Sequence, residues 1–100
     1  MVLRFEWDKQ KAITNIRKRV GVSFEEATTV FDDPRAVIFD DEAHSTHDPR
    51  EIMVGCSAKN RLLLVCFTER EDDVVRIYSA RLATKKERLD HERYFHRRVR

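Results

Sequence analysis

Ile52-Met53-Val54-Gly55-Cys56-Ser57-Ala58-Lys59-Asn60-Arg61-Leu62-Leu63-Leu64-Val65-Cys66-Phe67 decides the fold. Two apolar runs, 52–56 and 62–67, flank the turn-forming residues Ser57-Ala58-Lys59-Asn60, which predicts a β-hairpin. The second run is apolar at every position, so both of its faces need cover and it belongs at the centre of a sheet. Downstream, Glu71-Asp72-Asp73 turns the chain into Val74-Val75-Arg76-Ile77-Tyr78-Ser79-Ala80-Arg81, a further strand. Strict alternation would put Val75, Ile77, Ser79 and Arg81 on one face and Arg76, Tyr78 and Ala80 on the other. Upstream, Ala36-Val37-Ile38-Phe39 is bounded by Pro34 and by Asp40-Asp41-Glu42, as a short buried strand would be. Residues 42–49 are polar and irregular.

The ends of the chain have a different period. Val2-Leu3-Arg4-Phe5-Glu6-Trp7 alternates and reads as a first short strand. Asp8 is an N-cap, after which Ala12, Ile13, Ile16 and Val20 recur at helical spacing until Gly21, giving a helix over 8–20. Ser23-Phe24-Glu25-Glu26 is a capping box, with Val22 placed to staple onto Ala27. Phe24, Ala27, Val30 and Phe31 form the stripe of a second helix over 24–33, ended by Asp33-Pro34. Thr84-Lys85-Lys86-Glu87 is a second capping box and opens a basic C-terminal helix. The expected fold class is therefore α+β, in the order β-α-α-β-β-β-β-α. Its sheet is mainly antiparallel, packed by two N-terminal helices and a C-terminal one. Residues 1–100 form a single domain, and the tail over about 94–100 is a candidate for disorder.

One hundred residues allow one small core. Two glycines and two prolines exclude a linker or a Gly-rich phosphate loop. No apolar run approaches the ~20 residues of a membrane helix, and residues 1–20 lack the apolar centre of a secretory signal. A soluble, cytoplasmic domain with no membrane partner is expected. Cys56 and Cys66, ten residues apart, fit no common zinc pattern, and each lies in an apolar run, so both are expected buried and reduced. The net charge of +2 hides a division. Residues 24–51 carry −7 and residues 81–100 carry +5, which points to an anionic partner for the basic end.

Phe5-Glu6-Trp7-Asp8, Lys11-Ala12, Asn15 and Lys18 are followed by Val22-Ser23-Phe24-Glu25-Glu26-Ala27 and Val30-Phe31-Asp32-Asp33-Pro34. Then come Arg50 five residues before Gly55, Arg61 through Arg70, Arg76-Ile77-Tyr78-Ser79-Ala80-Arg81-Leu82-Ala83-Thr84, and Glu87-Arg88. In this order, over about residues 3–92, the sequence resembles the BrnT toxin family. The resemblance implies a RelE-like ribonuclease fold and a toxin of a type II toxin–antitoxin pair. It also implies RNA as substrate and a cognate BrnA-like antitoxin that binds operator DNA, so the toxin would reach DNA only through its partner. The chain departs from the family pattern at Arg19, where His is common, at His91, where Tyr is common, and in a tail past the usual end. Any role the family gives those two positions stays open here.

Metal-independent RNA cleavage requires a base for the 2′-hydroxyl, donors for the phosphate charge and an acid for the leaving oxygen. Arginine suits the middle task, because its planar fork grips two phosphate oxygens and keeps its charge. The expected catalytic residues are Arg50 and Arg81, then Arg70, with Glu69 as base. Cleavage by substrate orientation alone, without a strong base, is the other reading. Arg61, Arg76, Tyr78, Lys85, Lys86 and Arg88 are the expected RNA-binding residues, against the plainer reading of arginines as strand-edge charge. No cofactor is expected. His44, His47 and Asp48 would need a fourth metal ligand that the sequence does not offer. Trp7, Phe5, Phe24 and Phe31 are expected in the core. The alternative function is a catalytically degenerate toxin fold that acts only as an antitoxin-binding or co-repressor module. A helix-turn-helix reading of 8–33 fails because its second helix is acidic.

Overall fold

The all-apolar run forms the middle of β4 (Leu62–Arg70), and the sheet builds outward from it in a computed structural model of the chain. Residues 2–18, 21–42 and 49–98 are described, with side chains to residue 94. The elements run β1 (Arg4–Glu6), α1 (Lys9–Lys18), α2 (Phe24–Thr29), β2 (Val37–Asp40), β3 (Glu51–Cys56), β4, β5 (Val74–Leu82) and α3 (Lys85–Arg98). Five strands lie in the order β1-β5-β4-β3-β2. All neighbours are antiparallel except β1 and β5, which are parallel. The α+β class and element order expected from the sequence are those observed. Among the described residues no helix is long and apolar enough to cross a membrane.

Local chemistry explains each boundary. The β3–β4 hairpin turns where Asn60 adopts a φ of 60°, a conformation that asparagine tolerates. Asp8 caps α1 by accepting the Lys11 N–H at 3.0 Å. Ser23 caps α2 by accepting the Glu26 N–H at 3.0 Å, but only this half of the expected capping box forms. The Glu26 carboxylate instead accepts from Ser57 Oγ (2.7 Å) and from the Arg61 guanidinium. The box at Thr84 is complete, with Thr84 N–H to Glu87 Oε1 at 2.8 Å and Glu87 N–H to Thr84 Oγ1 at 3.2 Å. The second helix is shorter than expected. It stops at Thr29 and tightens into a 3₁₀ turn over Val30–Asp32. α3 continues to Arg98, into the segment expected as a tail.

Val22, Phe24, Ala27 and Val30 pack on one face of the sheet against Met53, Leu63, Val65, Phe67, Val75, Ile77 and Ala80. Phe31 bridges Phe5 and Phe67 edge-on, with centroids 5.1 and 5.0 Å away, and Trp7 meets Phe24 at 5.8 Å. The four aromatics are core residues, as expected. Three expectations about burial are corrected. β2 is an edge strand rather than a buried one, with Ile38 and Phe39 half exposed and Val37 buried. Ile13 and Ile16 are about half exposed, because α1 turns Ala12 and Asn15 inward instead. Cys56 is exposed at the end of β3, and Cys66 is only half-buried.

Asn15 serves an unusual edge. β1 pairs only with Val74, Val75 and Arg76, which leaves the rest of that side of β5 without a strand. Asn15 fills the gap by donating to the carbonyls of Ala80 (2.8 Å) and Val22 (2.9 Å) and accepting from the Ala80 N–H (3.3 Å). This satisfies backbone groups that would otherwise be buried without partners.

Gly55 lets β3 approach the 3₁₀ turn. A Cβ there would lie 2.8 Å from Val30 Cγ1 and 2.9 Å from Ala36 Cβ, beside the Asp33 carboxylate that accepts the Cys56 N–H at 2.7 Å. Gly55→Ala is expected to destabilise the protein by about 1–3 kcal/mol through overpacking. Urea unfolding checks this, and an unchanged midpoint would refute it.

Candidate active site

The face of the sheet opposite α1 and α2 carries Ile52, Val54 and Leu64, and α3 lies over part of it. What it leaves open depends on one irregularity in β5. Cys66 pairs with Ser79 and Phe67 with Ile77, so Tyr78 is an extra residue with no opposite number on β4. This β-bulge reverses the alternation. Val75, Ile77 and Ala80 all face the core, while Arg76, Tyr78 and Arg81 come out on the open face. Strict alternation had separated Tyr78 from Arg81, and the bulge corrects that expectation.

A cleft of about 310 Å³ opens there, lined by Lys11, Asp41, Arg50, Ile52, Leu64, Cys66, Tyr78, Ser79 and Arg81. The Arg50 guanidinium carbon lies over the Tyr78 ring, 4.0 Å from its centroid, and Lys11 Nζ is 5.7 Å from the same ring, both within cation–π range. Thr68 Oγ1 donates to the Pro49 carbonyl at 3.0 Å, and the Asp41 N–H donates to the Arg50 carbonyl at 2.8 Å. These two bonds fix the backbone on which Arg50 rides. Arg81 enters from the other side of the cleft, paired with Glu87 through both carboxylate oxygens at 2.8 and 2.9 Å. That pair draws the Glu87 carboxyl down to about 2.

The Cys66 thiol is within 3.7 Å of Asp41 Oδ2. Burial, reinforced by Asp41, pushes it up to about 11, so it is protonated at neutral pH and is no nucleophile. Asp41 is itself buried. The cleft thus brings three cations, one carboxylate, a hydroxyl and an aromatic ring to one surface. This is the chemistry for gripping a phosphodiester and for managing protons beside it.

The sequence profile of the ribonuclease toxin BrnT, of type II toxin–antitoxin systems, matches residues 7–87. The chain belongs to the BrnT family. The crystal structure of the ribonuclease toxin BrnT from Brucella abortus is similar, with a TM-score of 0.63 at 22% identity, covering 84% of this chain and 100% of that one. No curated protein matches the chain in sequence. The family resemblance, and the toxin and ribonuclease class that it implies, therefore hold over residues 7–87.

Within this BrnT fold the expected site residues divide into groups. Arg50, Tyr78 and Arg81 meet in the cleft. Arg70 and Arg76 converge on Glu6 instead, donating to its Oε2 at 3.3 and 2.7 Å. Glu6 reaches Arg76 because the parallel register places β1 beside it. Arg61 lies against Glu26 at the hairpin end and does not line the cleft. Glu69 also stands outside it. Its electrostatic neighbour is Glu51, whose carboxyl is pushed up by burial first and then by Glu69 and Asp40. Lys85, Lys86 and Arg88 are exposed on α3.

His91 Nε2 donates to the Arg35 carbonyl at 2.9 Å, tying α3 to the chain before β2. Arg19, His44, His47 and Asp48 lie outside the described residues. Sequence reasoning missed Lys11, Asp41, Cys66 and Ser79. Lys11 offered one signal, since it stands among the residues that carry the family resemblance.

Proposed function

We propose that the chain is an active endoribonuclease that cuts RNA at this cleft without a metal ion and thereby inhibits translation. The observation that carries the reading is the convergence of Lys11, Arg50 and Arg81 around the Tyr78 ring. In the reaction, the 2′-oxygen loses its proton and bonds to the adjacent phosphorus, the bond to the 5′-oxygen breaks, and that oxygen takes up a proton. Negative charge grows on the non-bridging oxygens, where fixed cations stabilise the transition state more than the ground state. The carboxylate lining the cleft is Asp41, so Asp41 takes in this reading the proton-accepting role expected of Glu69. Arg70 and Arg76, compensated in part by Glu6, extend the cationic surface along the open face. A BrnA-like antitoxin would neutralise the enzyme by presenting carboxylates to Arg50 and Arg81 in competition with RNA.

Purified protein incubated with single-stranded RNA in EDTA is expected to produce discrete cleavage fragments. Intact RNA with folded protein, or cleavage abolished by EDTA alone, would refute this reading. Intact RNA together with tight antitoxin binding would favour the degenerate, binding-only module.

A further inference from the structure

Glu87 and Arg81 are each about one-third exposed, and a pair in that setting adds little to folding. Its geometry is nevertheless tightly defined. Glu87 Oε1 accepts from both the Thr84 N–H and Arg81 Nη1, and Oε2 accepts from Arg81 Nη2. Arg81 Nη1 gives its other proton to the Leu82 carbonyl at 3.2 Å. A guanidinium has five N–H donors in a rigid fork, and three are accounted for. Among the described residues no bond uses the Nε–H or the second Nη2 proton. Those two share one edge, spaced to hold two oxygens of one phosphate.

We propose that Glu87 is a positioning residue, which clamps Arg81 by one edge so that its Nε–Nη2 edge is presented to an RNA phosphate in the cleft. The proposal rests on reading the cleft as the RNA site. One carboxylate both caps α3 and aims a cleft arginine, so the first turn of α3 is part of the active-site architecture. Glu87 stays ionised far below neutral pH, and the clamp does not titrate in the working range.

Glu87→Gln separates the two tasks. Glutamine serves in a capping box as well as glutamate does, so α3 keeps its start. With the amide oxygen in the place of Oε1, the NH₂ group faces Arg81 Nη2 and that bond is lost. Steady-state cleavage of a single-stranded RNA oligonucleotide should show kcat lower by about 10–100-fold, the scale of a misplaced catalytic group. KM should stay within about threefold, since binding in the ground state is shared with Lys11 and Arg50. Thermal unfolding should be almost unchanged. A wild-type kcat in the folded variant, or a loss that follows its unfolding, overturns the proposal.

A second measurement is independent of cleavage. The ¹⁵N-detected Arg81 Nε signal should shift on titration with inorganic phosphate in the wild-type protein, and much less in Glu87→Gln. If the wild-type protein cuts no RNA, the ribonuclease reading fails and this titration still decides the clamp. Equal shifts in both proteins, or none in either, overturn it.

Discussion

Arg50→Ala is expected to slow RNA cleavage by about 10²–10³-fold, the usual effect of removing one preorganised donor for developing charge. Arg50 is positioned by three separate features: the Tyr78 ring beneath its guanidinium carbon, the Thr68 bond to Pro49 just before it, and the Asp41 bond to its carbonyl. None of them is a core contact, so the variant should unfold close to the wild-type temperature. Arg50→Lys should recover little of the rate. Lysine restores the charge but lacks the planar, two-pronged donor set that grips a phosphate. Single-turnover cleavage of an RNA oligonucleotide measures the effect on the bond-breaking step. A rate for Arg50→Ala within about threefold of wild type, far outside the range expected for such a donor, would remove Arg50 from the chemistry.

Arg61→Ala should have the largest effect on stability. The Glu26 side chain is 1% exposed and Arg61 is its cationic partner, so the substitution leaves a buried carboxylate with only the Ser57 hydroxyl. Arg61 is itself partly exposed, so water takes up part of the loss and the cost is smaller than for a fully buried pair broken from one side. The melting temperature should fall by about 10 °C.

The pH dependence follows from the sign of the Glu26 shift. The Arg61 hydrogen bonds hold its carboxyl below the ordinary 4.5, more than burial raises it. The folded state therefore binds this proton less readily than the unfolded chain does. The pair's contribution is complete above about pH 4.5 and is lost as pH falls through the lower folded value. In Arg61→Ala that contribution is gone, so the gap to wild type should be widest at neutral pH and narrow in acid. Urea unfolding at pH 7 and at pH 4 tests both parts. Equal gaps at the two pH values would show that Glu26 is not the group responsible. Arg61→Lys keeps a charge near Glu26 and should cut RNA at close to the wild-type rate. A large rate loss in that folded variant would restore Arg61 to the RNA-binding set.

Much of the architecture is legible in the sequence. A run apolar at six successive positions, Leu62 to Phe67, belongs at the centre of a sheet, and β4 lies there between β3 and β5. Leu63, Val65 and Phe67 are in the core, and Leu64 and Cys66 are on the face that α3 covers in part. Asp8, Ser23 and Thr84 mark the starts of the three helices because a short polar side chain before an apolar stripe is the cheapest way to satisfy free backbone N–H groups. The aromatic core at Phe5, Trp7, Phe24 and Phe31 was equally plain, and the family was recognisable from ordered residues along the chain. These features are local, or they are set by hydrophobic period, and sequence records both directly.

The site depended on tertiary structure. Glu26 looked like a capping-box residue, yet its carboxylate crosses to Arg61, 35 positions away in the chain. Arg70 and Arg76 looked available for RNA, and both meet Glu6 because parallel pairing sets β1 beside β5. The decisive case is Tyr78. Read with a period of two, β5 puts Tyr78 and Arg81 on opposite faces, and no cleft could contain both. The bulge opposite Cys66 and Phe67 adds one residue and shifts the later half of the strand by one face. Sequence alone determined that β5 is a strand with arginines at Arg76 and Arg81. Only its pairing with β4 decided that Arg81 joins Arg76 and Tyr78 on one face, because a bulge belongs to two strands in register and leaves no mark in either one alone.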